Sequence, residues 1–121
     1  MKTKFEVVTK SIALMEYTMR ITSNRKRYPV KYITLVQRIQ SRCMDIYDNI
    51  TAANALDITK CRNQRLALQR QAISYCNQLS CYIELSMSLN LIGSNTVEYW
   101  QKLVSDVMYL TIAWNNRDRV R

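Results

Sequence analysis

Histidine is absent from this chain, glycine and proline occur once each, at Gly93 and Pro29, and nine acidic residues stand against eighteen lysines and arginines. Each shortage excludes something. Without histidine the usual general base near neutral pH is missing, so serine and cysteine have no partner to activate them as nucleophiles. With one glycine, no phosphate-cradling loop of the P-loop or dinucleotide type can form. The acidic residues make no compact cluster for magnesium: Asp45 and Asp48 stand one helical turn apart and read as solvated charges or as partners of Arg42. The cysteines, Cys43, Cys61, Cys76 and Cys81, contain no C-x-x-C pair, so they read as free thiols, with Cys43 and Cys76 buried on or beside apolar stripes, rather than as zinc ligands or a disulfide. This inventory predicts a protein that binds rather than catalyses, with no metal and no cofactor.

Long apolar runs are also lacking. None approaches the roughly 18 to 20 residues that span a bilayer, and the opening MKTKFEVV does not have the layout of a signal peptide. The expectation is a soluble, cytoplasmic protein with no membrane partner.

What is present is helical periodicity. Glycine and proline punctuate loops and turns, so their scarcity predicts a few long helices, and 121 residues at 48% hydrophobic content suffice for one domain, residues 1–121, with its own core. From Tyr28 to Asn54 the apolar positions Tyr32, Val36, Ile39, Cys43, Ile46, Ile50 and Ala53 recur at alternating gaps of four and three, the spacing of one helical stripe packed on other helices. Pro29 suits the first turn of this second helix. Before it, a first helix is predicted from about Phe5 to Ile21, capped by Thr3 with Glu6 and facing the core with Phe5, Val8, Ile12, Met15 and Met19.

After a short turn, Asp57 is the expected cap of a third helix running to about Leu91 or Ile92. Its inward set is Ile58, Cys61, Leu68, Ala72, Tyr75, Leu79, Tyr82 and Leu89, widened by Ile73, Cys76 and Ile83. Gly93 suits the left-handed position that ends a helix. Ser94 or Asn95 then caps a fourth, with Asn95 and Glu98 at capping-box spacing. This last helix has the seam Val97, Trp100, Val104, Val107, Thr111 and Trp114, and the ending NNRDRVR either extends it or frays. Four amphipathic helices joined by short connections predict an all-α, antiparallel up-and-down four-helix bundle. The aromatic set Tyr47, Tyr75, Tyr82, Tyr99, Trp100, Tyr109 and Trp114 exceeds what one thin core needs, and is divided between core packing and a partner or oligomer surface.

The charge is +9, and eleven of the eighteen cations are arginine, which grips phosphate bidentately. A balance of this size points to a polyanionic partner, with general solubility as the bland alternative. Arg25, Lys26 and Arg27 precede the second helix; Lys31, Arg38 and Arg42 follow along one side of it; Arg62 and Arg65 open the third. These eight are the candidate contacts to RNA or DNA, and each alone also reads as a solvated charge.

Several stretches together carry a resemblance. RYPVKYITLVQRIQ, MDIYDNITAANALD, LALQRQAISYCNQLSCYIELSMSLNLI and EYWQKLVSDVMYLTIAW look like the four-helix-bundle family that includes Avd, the accessory variability determinant of diversity-generating retroelements. The match covers residues 25 to 117 and departs from the family at Ile112 and Ala113, where glycines often precede the tryptophan. The resemblance implies a homopentamer of four-helix bundles whose basic surface contacts nucleic acid and which associates with a reverse transcriptase during mutagenic cDNA synthesis. It also extends to bundle proteins encoded within intervening sequences of bacterial large-subunit ribosomal RNA genes. A third reading, from charge alone, is a scaffold whose positive face docks an acidic protein.

Overall fold

A computed structural model describes residues 2–121, with side chains from Glu6 onward. Four helices account for most of the chain: α1 (Lys2–Thr22), α2 (Ile33–Ala55), α3 (Arg62–Ser88) and α4 (Ser94–Val120), with a 3-10 turn at Val30–Tyr32 leading into α2. Each helix packs on its sequence neighbour, and α4 closes the ring on α1. The result is the expected all-α, up-and-down bundle. The turn after α1 and the turn between α3 and α4 share one end; the turn between α2 and α3 shares the other with the C-terminus. No helix among the described residues is long and apolar enough to cross a membrane.

The stripes of α2 and α4 enter the core as their spacing predicts. Val36, Ile39, Cys43, Ile46, Ile50 and Ala53 are buried on α2, and Val97, Trp100, Val104, Val107, Thr111 and Trp114 on α4. Tyr32 is only half-buried, because the chain passes through the 3-10 turn before α2 begins. On α3 the centre of the buried face is Ala72, Cys76, Leu79 and Ile83, while Leu68, Tyr75 and Tyr82 pack from its flank. Leu89 stays outside, at 38% exposure. Arg117 and Arg119 lie in the last turn of α4, so the basic ending extends the helix.

The face of α1 differs from expectation. Val7, Ser11, Leu14, Thr18 and Thr22 point inward, whereas Val8, Met15 and Met19 are half-buried and Ile12 is 40% exposed. A buried hydroxyl is tolerated when it is bonded, and these are. Ser11 Oγ donates to the Val8 carbonyl at 2.7 Å and Thr22 Oγ1 to the Thr18 carbonyl at 2.7 Å. Thr18 Oγ1 accepts from Trp100 Nε1 at 3.0 Å. The small hydroxyl residues leave room for the Trp100 indole, which a larger apolar residue on this face would occupy. The expected cap of Thr3 with Glu6, and Phe5 as a core residue, fall on side chains outside the described ones.

Two helix ends are also set differently. Asp57 Oδ1 accepts from the backbone amides of Thr59 and Lys60 at 2.7 and 3.1 Å, so it caps a tight turn and α3 starts only at Arg62. These bonds hold the Asp57 carboxyl below its ordinary range. At the other end of α3 the left-handed residue is Asn90, φ 61°, not Gly93. Leu91 N–H bonds the Ser86 carbonyl and Asn90 N–H the Met87 carbonyl, the paired bonds that close a helix C-terminus in the Schellman manner. Gly93 is extended, φ −92° and ψ 173°, and occupies the N-cap of α4 without a side chain to offer, in place of the expected Asn95–Glu98 box.

Candidate nucleic-acid interface

The basic loop between α1 and α2 is built rather than slack. Asn24 Oδ1 accepts from the amide of Lys26 at 3.0 Å and from that of Arg27 at 3.4 Å, and the Asn24 carbonyl takes the amides of Arg27 and Tyr28. An asparagine that replaces a backbone turn in this way fixes the residues after it. Tyr28 then drops into the core at 1% exposure, its buried hydroxyl turned toward Ser86 of α3 and without a bonded partner. Burial pushes the Tyr28 hydroxyl up from its ordinary value, which keeps it neutral. With Tyr28 as anchor, Arg25 and Lys26 are held out in solvent.

Arg27 is half-buried and reaches across to α4, where Nη1 donates to Thr96 Oγ1 at 3.1 Å. Lys31 is exposed, with its ammonium 5.3 Å from the centroid of the Tyr32 ring. Arg38 is exposed on the first half of α2. Arg20, in the last turn of α1, is exposed at the same end and was not among the expected contacts. Its signal in the sequence was its place one helical turn before the basic loop, where a cation also suits the negative end of the helix. None of these six is in an ion pair among the described residues, and Glu16, one helical turn before Arg20, stands with Glu84 and Glu98 toward this end. A cleft of about 230 Å³ opens beside Arg25, floored by Pro29, Val30, Ile33 and Val36.

The remaining three candidates are placed otherwise. Arg42 lies between α2 and α3, Nη1 donating to Asp45 Oδ2 at 3.2 Å and the guanidinium 4.5 Å from the Tyr75 ring centroid. Its side chain is only 19% exposed. Arg62 and Arg65 sit at the opposite end of the bundle, about 33 Å away along α2 at 1.5 Å per residue. Arg62 donates to the carbonyls of Arg119 and Arg121, the latter at 2.7 Å. Arg65 is not a surface residue at all. It is 3% exposed and donates through Nε to Asp118 Oδ2 at 2.7 Å and through Nη1 to the Leu56 carbonyl at 2.8 Å. Its guanidinium stands 5.4 Å from the Trp114 ring centroid. The start of α3 therefore does not join the loop and the first half of α2 in one patch.

The chain matches no known protein family, no curated protein and no solved structure. What its geometry can do rests on the residues alone. Among the described residues, no three histidine, cysteine or carboxylate groups are placed to share a metal ion. The exposed cations of the loop and of α2 can neutralise phosphates along a strand, and they carry no fixed donor and acceptor pattern for reading base edges.

Proposed function

We propose that this protein is a noncatalytic, basic accessory subunit that binds RNA or DNA through Arg20, Arg25, Lys26, Arg27, Lys31 and Arg38. In this reading it works as an Avd-like homo-oligomer, a pentamer by resemblance, beside a reverse transcriptase, and supports mutagenic cDNA synthesis and retrohoming in a diversity-generating retroelement. The observation that carries the nucleic-acid half is the collection at one end of the bundle of six cations without ion-pair partners among the described residues, four of them within the stretch from Arg25 to Lys31. The partner half is supported by the quoted sequence resemblance and by apolar surface beyond the core: Tyr99 is 52% exposed and Tyr109 64%.

A salt titration with single-stranded RNA tests it. Each neutralised phosphate contributes about 0.7 to the slope of log affinity against log salt on a single strand. Reversal of Arg25, Lys26, Lys31 and Arg38 to glutamate removes about three units of slope, while Arg62→Glu at the far end leaves it unchanged. An affinity indifferent to salt, or to these four charges, refutes the reading. If nuclease-treated protein instead retains an acidic protein partner and no nucleic acid, the same cations serve a protein-interaction scaffold. Binding confined to ribosomal RNA, without a reverse transcriptase, assigns the chain to the ribosomal-RNA-associated bundles.

A further inference from the structure

The flank of the apolar face of α1 runs along the outer groove between α1 and α2, with Val8 and Met15 half-buried against the core and Ile12 40% exposed. Val8, Ile12, Met15 and Met19 span three turns, about 16 Å at 1.5 Å per residue. Across the groove stands Met44 at 43% exposure, and Met15, Met44, Tyr47, Asp45 and Asp48 line a hollow of about 370 Å³. The space admits one or two large side chains, and its floor of thioethers is polarizable and adaptable.

The charge around this groove is opposite to that of the chain as a whole. Asp45 and Asp48 line the hollow, Glu16 follows Met15 on the exposed side of α1, and no lysine or arginine is among the lining residues. One third of the acidic residues of a +9 chain thus border a single apolar groove. Asp45 shares its carboxylate with Arg42 on the far side of α2, which leaves Asp48 and Glu16 as the open charges.

We propose that this groove is the docking site for a cationic amphipathic helix of a protein partner. Such a helix offers apolar anchors at i, i+3 or i+4 and i+7, which cover three turns, and basic residues on its flanks. The anchors meet Ile12, Met15 and Met44, and the flanking cations meet Glu16 and Asp48. A nucleic acid does not fit, because the same carboxylates repel phosphate. The apolar anchors of the groove are none of the cations of the basic end, so the neutral variants at Ile12 and Met44 let this inference and the nucleic-acid reading fail separately.

The probe is an 18-residue peptide of lysine and leucine patterned as an amphipathic helix, with a scrambled peptide of the same composition and a glutamate–leucine counterpart as controls. The lysine–leucine helix is expected to bind and to shift the methyl NMR signals of Met15 and Met44 but not that of Met87, which is 38% exposed elsewhere on the bundle. Ile12→Ser with Met44→Ser weakens it about tenfold, and Glu16→Lys with Asp48→Lys weakens it by a similar factor that shrinks at high salt. Ile12→Ser with Met44→Ser changes no charge and leaves RNA binding as it was. Equal binding of the control peptides, affinity within twofold in the groove variants, or unmoved Met15 and Met44 signals overturns the proposal. So does a light-scattering mass that falls on Met44→Glu while the wild type ignores the peptide, since a second copy of the chain then fills the groove.

Discussion

Arg65 and Asp118 face each other inside the end of the bundle, Nε to Oδ2 at 2.7 Å, with side chains 3% and 2% exposed. They are 53 residues apart in sequence. Gln69 Nε2 donates to the same oxygen at 2.7 Å, Arg121 Nε reaches Oδ1 at 3.2 Å, and Asn115 Nδ2 donates to Gln69 Oε1 at 2.9 Å. The pair is thus the centre of a polar network that joins α3 to the last turns of α4. It also explains why a cation at the start of α3 is withheld from solvent.

Removing one member of such a pair leaves the other charge buried alone. Asp118→Ala is expected to destabilise the fold by about 3–5 kcal/mol, against less than about 0.5 kcal/mol for Arg38→Ala on the surface. Urea unfolding measures both. The same pair sets a pH dependence. Burial raises the Asp118 pKa, but hydrogen bonds from Arg65 and Gln69 and the charges of Arg65 and Arg121 outweigh it, so the carboxyl titrates below its ordinary value. The unfolded chain then takes up this proton more readily than the native one. The stabilisation is complete above the ordinary carboxylate range near pH 4 and is lost as pH falls through the lower native value. Asp118→Asn should flatten the stability profile below about pH 4; a profile of unchanged steepness counts against this assignment.

The two tryptophans of α4 are both buried but differently satisfied. Trp100 Nε1 has Thr18 Oγ1 as its partner, whereas Trp114 Nε1 has none among the described residues and its ring lies by Arg65. Thr18→Val keeps the shape and strands the Trp100 donor, at an expected cost of about 1–3 kcal/mol. Thr111→Val, on the same helix as both indoles, removes only a hydroxyl bonded to its own Val107 carbonyl and should cost less. Thermal unfolding of the two variants decides; equal losses would mean that the indole bond adds nothing.

Much of this architecture is legible from spacing alone, and the exceptions have physical causes. The stripes of α2 and α4 are apolar at nearly every inward position, so periodicity finds them. On α1 the inward face carries Ser11, Thr18 and Thr22, which look polar in sequence and become core residues only because Val8 and Thr18 carbonyls and the Trp100 indole bond them. Asp57 reads as a helix cap and caps a turn instead, since an aspartate satisfies either. Within the basic set, the cluster from Arg25 to Lys31 is local and readable. The withdrawal of Arg65 depends on Asp118 and Leu56, and that of Arg42 on Tyr75, contacts that exist only once the helices are packed.

The turn between α3 and α4 exchanges the roles expected of its residues. Asn90 carries the positive φ, and Gly93 has an ordinary extended backbone with open space where a Cβ would stand. Asn90→Ala should therefore cost about 1 kcal/mol, the penalty of a left-handed residue without asparagine's local bonding. Gly93→Ser should stabilise by about 0.5–1 kcal/mol, because it reduces the freedom of the unfolded chain and supplies a hydroxyl to the bare N-cap of α4. Denaturant midpoints of the two variants should move in opposite directions.

The thiols form a graded series that a single reagent can read. Cys43 and Cys76 are buried in the core, and burial pushes their thiols up to about 11 and about 12, Thr18 acting slightly the other way on Cys43 and Cys43 adding to the rise at Cys76. Reactivity requires the thiolate and access to it, and these two have neither near neutral pH. Cys81 is exposed on α3 and Cys61 half-exposed before it. An aromatic disulfide reagent at pH 8 should therefore label Cys81 first and Cys61 more slowly, and reach Cys43 and Cys76 only as the bundle unfolds. Cys81→Ser then removes the fast phase and leaves the slow pair, whose rate should rise with urea in step with the loss of helix. A fast reaction at Cys43 or Cys76 in the native protein would mean that the seam between α2 and α3 opens on the timescale of labelling, and that the core is less closely packed there than its full burial implies.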